Sequence, residues 1–425
     1  MTTRSIICIF FMPALLPESG KSTLKKVPAD FLFNAGSRLL SGSKNCFGLH
    51  RINQGNFAFL KSLRADEITS LSHPSMSYMT DLSLFDPNAA GNPNNNIFGL
   101  PFGEQDARLV LQPVPWEVTA SYHAGTARAP EHLLRSGLQV DIFDPDYTGF
   151  WRQGFHMRTP DKGILQKSDY LRKEAELYIN FITQGEHIDN NKFMCKALRE
   201  VNEGSRYMND WVYQQTSELL QTGKLVGLVG GDHSTPFGFI RAIAERHPEF
   251  GILQIDAHCD LRKSYEGFDY SHASIMYNVL EEIPQVKRLV QLGVRDYSPS
   301  EWSYICNSDY RVVTYFDKQL KERQYEGDTW RQITDDIIDH LPEKVYLSFD
   351  IDGLDPKLCP HTGTPVQGGV ETEQIFYLIR RMLESSRILI GFDLCEVGIS
   401  QSEWDENVGA RVLFKLCHFL AASHS

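Results

Sequence analysis

The sequence is short of several things, and each absence narrows what the chain can be. Its eight cysteines, at 8, 46, 195, 259, 306, 359, 395 and 417, form no Cys-x-x-Cys pair and no regular framework. Scattered cysteines of this kind read as reduced, partly buried thiols in a reducing compartment. Basic residues are outnumbered, giving a formal net charge of -12, which argues against a nucleic-acid partner. No apolar run approaches the roughly 20 residues needed to cross a bilayer, so no membrane partner is expected. Internal repeats are missing as well. What remains is a chain of 425 residues, 42% apolar, long enough for one large α/β domain or two ordinary ones.

Residues 1–75 differ from the rest, with nine Lys or Arg against four Asp or Glu and little periodicity. The apolar stretch from Ile6 to Leu16 is too short to span a membrane, and no clear cleavage site follows it. Residues 1–83 are read as a leader: disordered or mis-started (Met76 and Met79 offer later starts), an organellar transit peptide, or a secretory signal. The location is cytoplasmic, or organellar if the leader is a real transit peptide. From Leu84 the character changes, and residues 84–425 read as a single domain. Asp86 to Asn96 is a loop by its turn chemistry.

Farther on, short runs rich in Val, Ile and Leu alternate with helical segments. Ala107–Pro113, Leu225–Val229, Gly251–Ile255, Arg288–Leu292, Val312–Val313, Lys344–Phe349 and Arg387–Phe392 read as strands. Pro130–Ser136, Pro236–Arg246, Thr329–Leu341 and Glu371–Glu384 read as helices. Apolar strands without a polar face predict an α/β fold: three αβα layers around a mostly parallel central sheet.

Three segments follow such strands: Gly230-Gly231-Asp232-His233-Ser234, Asp256-Ala257-His258-Cys259-Asp260, and Ser348-Phe349-Asp350-Ile351-Asp352-Gly353. Parallel sheets bind ligands at the carboxyl ends of their strands, so these loops should converge. Singly, each aspartate could be a helix cap or a turn residue. Together, His233, Asp256, His258, Asp260, Asp350 and Asp352 offer imidazole and carboxylate donors enough for two divalent ions. A pair of ions roughly 3.5–4 Å apart can activate a water for attack on an electrophilic carbon. Cys259 lies among these donors, but hard divalent ions prefer oxygen and imidazole, and it is read as a packing residue.

The motifs resemble the ureohydrolase family, which includes arginase, agmatinase, formiminoglutamase and guanidine hydrolase. The likeness runs from Pro113 to the C-terminus. Gly125-Thr126-Ala127-Arg128-Ala129-Pro130, Gly363-Thr364-Pro365 and Gly391-Phe392-Asp393-Leu394-Cys395-Glu396-Val397 extend it. The resemblance implies that His233, Asp256, Asp260 and Asp350 hold one ion and Asp256, His258, Asp350 and Asp352 the other, with Asp256 and Asp350 bridging. The ions would be Ni2+ or Mn2+. It also implies that Asp260 orients the nucleophile, that Glu396 pairs with a small cationic guanidinium substrate, and that His272 carries a proton to the departing nitrogen. His123 and His361 lie near motif loops and are further candidates for substrate contact. A homotrimer or homohexamer is implied too.

The expected reaction is hydrolysis of a guanidinium compound to urea plus ammonia or an amine. Leu261-Arg262-Lys263-Ser264-Tyr265 does not reproduce the arginase pattern after the metal motif, which disfavours arginine. A long aromatic insertion around residues 145–215 includes Phe150, Trp151, Phe155, His156, Tyr170 and Tyr178. It reads either as a lid that shrinks the pocket or as an extra helix or oligomer interface. This insertion and Leu84-Phe85-Asp86-Pro87-Asn88 resemble the guanidine hydrolase branch, which uses nickel, although Gly398 stands where many relatives have proline. Free guanidine is the favoured substrate; agmatinase, guanidinobutyrase or arginase activity is the alternative. Two other classes stay open: a non-catalytic metal-binding scaffold of ureohydrolase type, and a metal-dependent deacylase of related sheet architecture.

Overall fold

The computed structural model describes residues 80–425, so the leader read at residues 1–83 lies almost wholly outside the described residues. Eight strands form one sheet: β1 (Leu109–Pro113), β2 (Phe155–Met157), β3 (Leu225–Val229), β4 (Phe250–Ile255), β5 (Val286–Val294), β6 (Val312–Phe316), β7 (Lys344–Asp350) and β8 (Ile388–Cys395). Their order is β2-β1-β3-β8-β7-β4-β5-β6, and every pairing is parallel. The expected sheet is therefore present and parallel throughout. The central strands are buried along almost their whole length, which is why they read as apolar runs without alternation.

Ten α-helices are described: α1 (Ala129–Ser136), α2 (Lys162–Thr183), α3 (Lys192–Gln221), α4 (Phe237–Ala244), α5 (Ile275–Glu282), α6 (Pro299–Cys306), α7 (Asp317–Tyr325), α8 (Trp330–Asp339), α9 (Thr372–Glu384) and α10 (Trp404–Ser423). Neighbouring helices α2, α3, α4 and α5 pack in series, and α1, α10, α9 and α8 form a second group. With the sheet between, this is the three-layer α/β fold. None of the helices among the described residues is long and apolar enough to cross a membrane.

The aromatic insertion resolves into β2 and the two longest helices. Helix α2 starts on an Asp161 cap, whose carboxylate accepts the Ile164 N–H, and α3 starts on Asn191. Buried Ile164, Ser168, Leu171, Ala175 and Tyr178 recur every three or four residues, the stripe of an amphipathic helix. The lid reading fails for Phe150–Phe155. Residues 150–154 precede β2 and Phe155 opens it, so they stand at the amino end of a parallel sheet, opposite the motif loops. There Trp151 packs on Phe85 and Phe155 on His418 of α10, so the aromatics fill the core.

Candidate metal centre and active site

The carboxyl ends of β3, β4, β7 and β8 lie side by side, and the chemically loaded loops leave from them. The loop after β3 can turn sharply because Gly231 lies against the Trp116 carbonyl, where a Cβ would come within 2.0 Å of the oxygen. Likewise Gly353, after β7, leaves no room for a Cβ beside the Asp256 amide. Close approach of backbones is what brings the three motifs together.

His233 occupies the centre. Its Nδ1 stands 2.9 Å from Asp260 Oδ2, 3.1 Å from Asp256 Oδ2 and 3.4 Å from Asp350 Oδ2. His258 Nδ1 lies 3.1 Å from Asp352 Oδ2 and 3.5 Å from Asp256 Oδ1. Two donor sets follow, His233/Asp256/Asp350 and Asp256/His258/Asp352, the donor atoms of each lying within 4.8 Å of one another. Asp256 belongs to both sets, as a shared ligand must, whereas Asp350 falls in the first only. All five residues are buried except His258, which reaches a cleft.

Hydrogen bonds fix the orientation of these donors. The Nε2 of His233 lies 2.9 Å from Ser348 Oγ, which donates onward to Asp393 Oδ1 at 3.2 Å. Asp393 also accepts the Tyr346 hydroxyl at 2.7 Å. Ser348 must therefore accept the Nε2–H, which leaves the Nδ1 lone pair aimed at three carboxylates. A second chain runs across the sheet: Thr314 Oγ1 donates to Gln291 Oε1 at 2.7 Å, Gln291 Nε2 to Gln254 Oε1 at 2.7 Å, and Gln254 Nε2 to Asp256 Oδ2 at 2.7 Å. Arg295 ties the loops together by donating to the carbonyls of Asp352, Gly353, Leu354 and Val366.

The electrostatics of this cluster demand cations. Burial, with the Asp352 and Asp256 charges beside it, pushes Asp350 well above the usual carboxylate range. Burial and Asp256 raise Asp260 to about 7. For Asp256 burial acts upward, but the imidazoles of His233 and His258 outweigh it and hold the carboxyl low. Burial alone would depress His233 and His258, yet their carboxylate partners lift both well above the ordinary histidine value. A lone pair facing three crowded carboxylates is satisfied only by a proton or a metal ion between them. The donor set, oxygen with one imidazole on each side, suits a pair of borderline or hard divalent ions.

Asp260 and Glu396 share a strained backbone, with φ of 54° and 61° in the left-handed region. Such conformations cost ~1–3 kcal/mol in non-glycine residues and persist where surroundings over-determine them. The Asp260 carbonyl accepts the Met276 and Tyr277 amides, and the Glu396 amide donates to Gly231 at 2.8 Å. Glu396 Oε1 accepts the His233 amide at 3.0 Å, whereas buried Oε2 has no partner among the described residues. Burial and nearby Asp232 push its carboxyl well above the usual range.

A cleft of about 260 Å³ opens onto the cluster, lined by His258, Asp260 and His272 with Ser121, Tyr122, Arg262, Tyr265 and Thr364 among others. Burial and the His258 and His233 charges depress His272 to about 3, so its ring is neutral near pH 7. Of the six expected ligands, then, five fall into two compact sets, with Asp260 hydrogen-bonded at the first and His272 on the cleft wall. Glu396 is buried behind His233 and does not line that cleft. His123 and His361 are not on its wall either; His361 pairs with buried Asp405 at 2.8 Å.

The family model of the arginase family matches residues 107–418. The chain belongs to the arginase family. It is similar to an N(1)-aminopropylagmatine ureohydrolase of Thermus thermophilus, 28% identical over 325 residues, 74% of this chain and 92% of that one. A guanidinobutyrase of Pseudomonas aeruginosa is 33% identical over 194 residues, 44% of this chain and 57% of that one. In fold it resembles the agmatine ureohydrolase of Thermoplasma volcanium, with a TM-score of 0.57 at 21% identity over 75% of this chain and 92% of that one. Membership makes the chain a ureohydrolase, a hydrolase of guanidino C–N bonds acting on a small cationic guanidino substrate. The scaffold and deacylase readings fall away.

The sequence reading missed Ser348, Asp393 and Tyr346 as orienting residues of His233, and Gln254 and Gln291 behind Asp256. A signal was available in the strands themselves. Polar side chains inside otherwise apolar strands must find partners when buried.

Proposed function

We propose that this chain hydrolyses a small guanidinium compound to urea plus ammonia or an amine, at a site holding two divalent ions. The observation that carries the reading is the convergence of His233 and His258 with Asp256, Asp260, Asp350 and Asp352 at adjacent strand ends. His233, Asp256, Asp260 and Asp350 would hold one ion, and Asp256, His258, Asp350 and Asp352 the other. When bound, the ions supply an activated water as nucleophile and offset the carboxylate charge. Asp260 orients that nucleophile. Glu396, whose buried Oε2 has no hydrogen-bond partner among the described residues, would pair with a guanidinium that reaches past the cleft wall beside His233. His272, neutral and on the cleft wall, would take the proton that the attacking water gives up and hand it to the departing nitrogen.

Free guanidine is the substrate we favour, with nickel or manganese as the metal. In support, the cleft is small and its wall carries Arg262. The Arg262 guanidinium stacks on Tyr265 at 4.8 Å and stands 3.6 Å from Glu301, so it neutralises a wall carboxylate that would otherwise draw an alkylammonium tail such as that of agmatine. The same Arg262 favours a second reading, a guanidino acid whose carboxylate tail it would bind. A homotrimer or homohexamer remains our proposal for the assembly, checked by mass measurement in solution. Urea release from guanidine, guanidinobutyrate, agmatine and arginine, compared in nickel-loaded and manganese-loaded protein, tests the substrate. Turnover of agmatine at least equal to that of guanidine would refute the preference.

A further inference from the structure

We infer that Thr119 is the positioning residue of His272, fixing which ring nitrogen faces the reaction. Its hydroxyl oxygen accepts the His272 backbone N–H at 3.2 Å and lies 3.4 Å from the ring Nδ1. One side chain thus holds both the backbone and the ring of His272. With one lone pair given to the backbone N–H, the hydroxyl can donate its proton to Nδ1 or accept one from it. Nδ1 is satisfied in either state, and Nε2 is left as the nitrogen that exchanges protons with the substrate.

A mobile hydroxyl could not do this, and Thr119 is fixed on every side. It is fully buried. The loop carrying it is tied to the metal motif, since the Asp232 amide donates to the Trp116 carbonyl at 2.8 Å. Helix α2 ties it from the other side. Ser168 Oγ accepts the Glu117 N–H at 3.1 Å, and Arg172 donates to the carbonyls of Val118 and Ala120. Farther along α2, Tyr178 packs on Phe268, in the loop that leads to His272. Helix α2, inside the insertion whose aromatics first suggested a lid, braces both loops that set the His272 geometry.

The inference rests on His272 being the proton carrier, and the test separates the two. Thr119→Val, Thr119→Ser, His272→Asn and the double variant Thr119→Val/His272→Asn are compared in metal-loaded full-length protein on guanidine. Metal content, kcat, KM and the pH dependence of kcat are measured. Thr119→Val should keep two ions per chain and a KM within about twofold, and lose roughly five- to tenfold in kcat, the worth of one hydrogen bond. It should shift the pH–kcat limb that disappears in His272→Asn; Thr119→Ser should restore both, and the double variant should match His272→Asn. Wild-type kcat and pH profile in Thr119→Val, with His272→Asn inactive, would overturn the role of Thr119 alone. Full turnover in His272→Asn would overturn the proton-carrier reading itself. Loss of metal in Thr119→Val, or a Thr119→Ser variant as slow as it, would mark Thr119 as structural and overturn the inference.

Discussion

Exchanging Asp256 for Asn removes one charge from the middle of the cluster and keeps the shape of the side chain. Asp256 is the carboxylate present in both donor sets, so both sites lose a ligand at once. The amide has no comfortable orientation. One rotamer turns its NH2 toward Gln254 Nε2, a donor 2.7 Å away and close to His233; the other turns it toward the His258 amide, a donor at 2.6 Å. A buried donor–donor clash of this kind costs ~1–3 kcal/mol. Loss of the Lewis-acid contribution, several kcal/mol in metal hydrolases, adds to it, and ~4 kcal/mol corresponds to about a thousandfold in rate. Metal analysis of the purified variant should find well under one ion per chain, and urea release should fall by about three orders of magnitude. Asp352→Asn, which touches one set only, should retain more metal than Asp256→Asn. An Asp256→Asn protein with both ions and kcat within tenfold of wild type would refute this account of the centre.

Three further outcomes follow from the same geometry. Ser348→Ala leaves the His233 Nε2–H and Asp393 without their shared partner, and should weaken metal binding about 10–100-fold in competition with a chelator; unchanged affinity would contradict the orienting role. In metal-stripped protein Asp260 is lifted from 3.8 to about 7, so the folded chain holds a proton that the unfolded chain has released across that window. Stability then falls as pH rises from about 4 to 7, and the raised His233 and His258 act in the same sense, losing their contribution as pH climbs through their raised values. The Tm of stripped protein should drop between pH 5 and 8 and the metal-loaded curve should be flatter; a rising Tm in the stripped protein would be the wrong sign. Arg262→Ser should raise agmatine turnover relative to guanidine by at least about fivefold, because Glu301 on the cleft wall loses its cationic partner and can draw the ammonium tail; an unchanged ratio would remove Arg262 from substrate selection.

Much of this architecture was readable from the chain, because the central strands are buried on both faces and carry their metal motifs at their ends. The runs at Leu225–Val229 and Lys344–Phe349 match β3 and β7 within a residue. Strand β5 extends from Val286 to Val294, beyond the apolar Arg288–Leu292, since Lys287 reaches solvent at the sheet's rim and does not register as core. Strand β2, three residues at the sheet edge, is too short for any period to show. Helices α2 and α3 fall in the stretch read either as a lid or as an extra helix or interface; the aromatics around Phe150 and Trp151 suggested the lid, and only tertiary packing shows that they turn inward. The ligands were legible because carboxylate and imidazole cluster in sequence. Thr119, Ser348 and Arg295 were not, since each acts through a partner brought close only by the fold.

The most direct test of the central claim is urea release by purified protein before and after its metal is removed, and again after nickel or manganese is restored. Urea from guanidine is expected in the loaded protein, none above background in the stripped protein, and recovery when two equivalents of metal return. Equal urea release from stripped and loaded protein, or none from guanidine, guanidinobutyrate, agmatine or arginine with either metal, would contradict it.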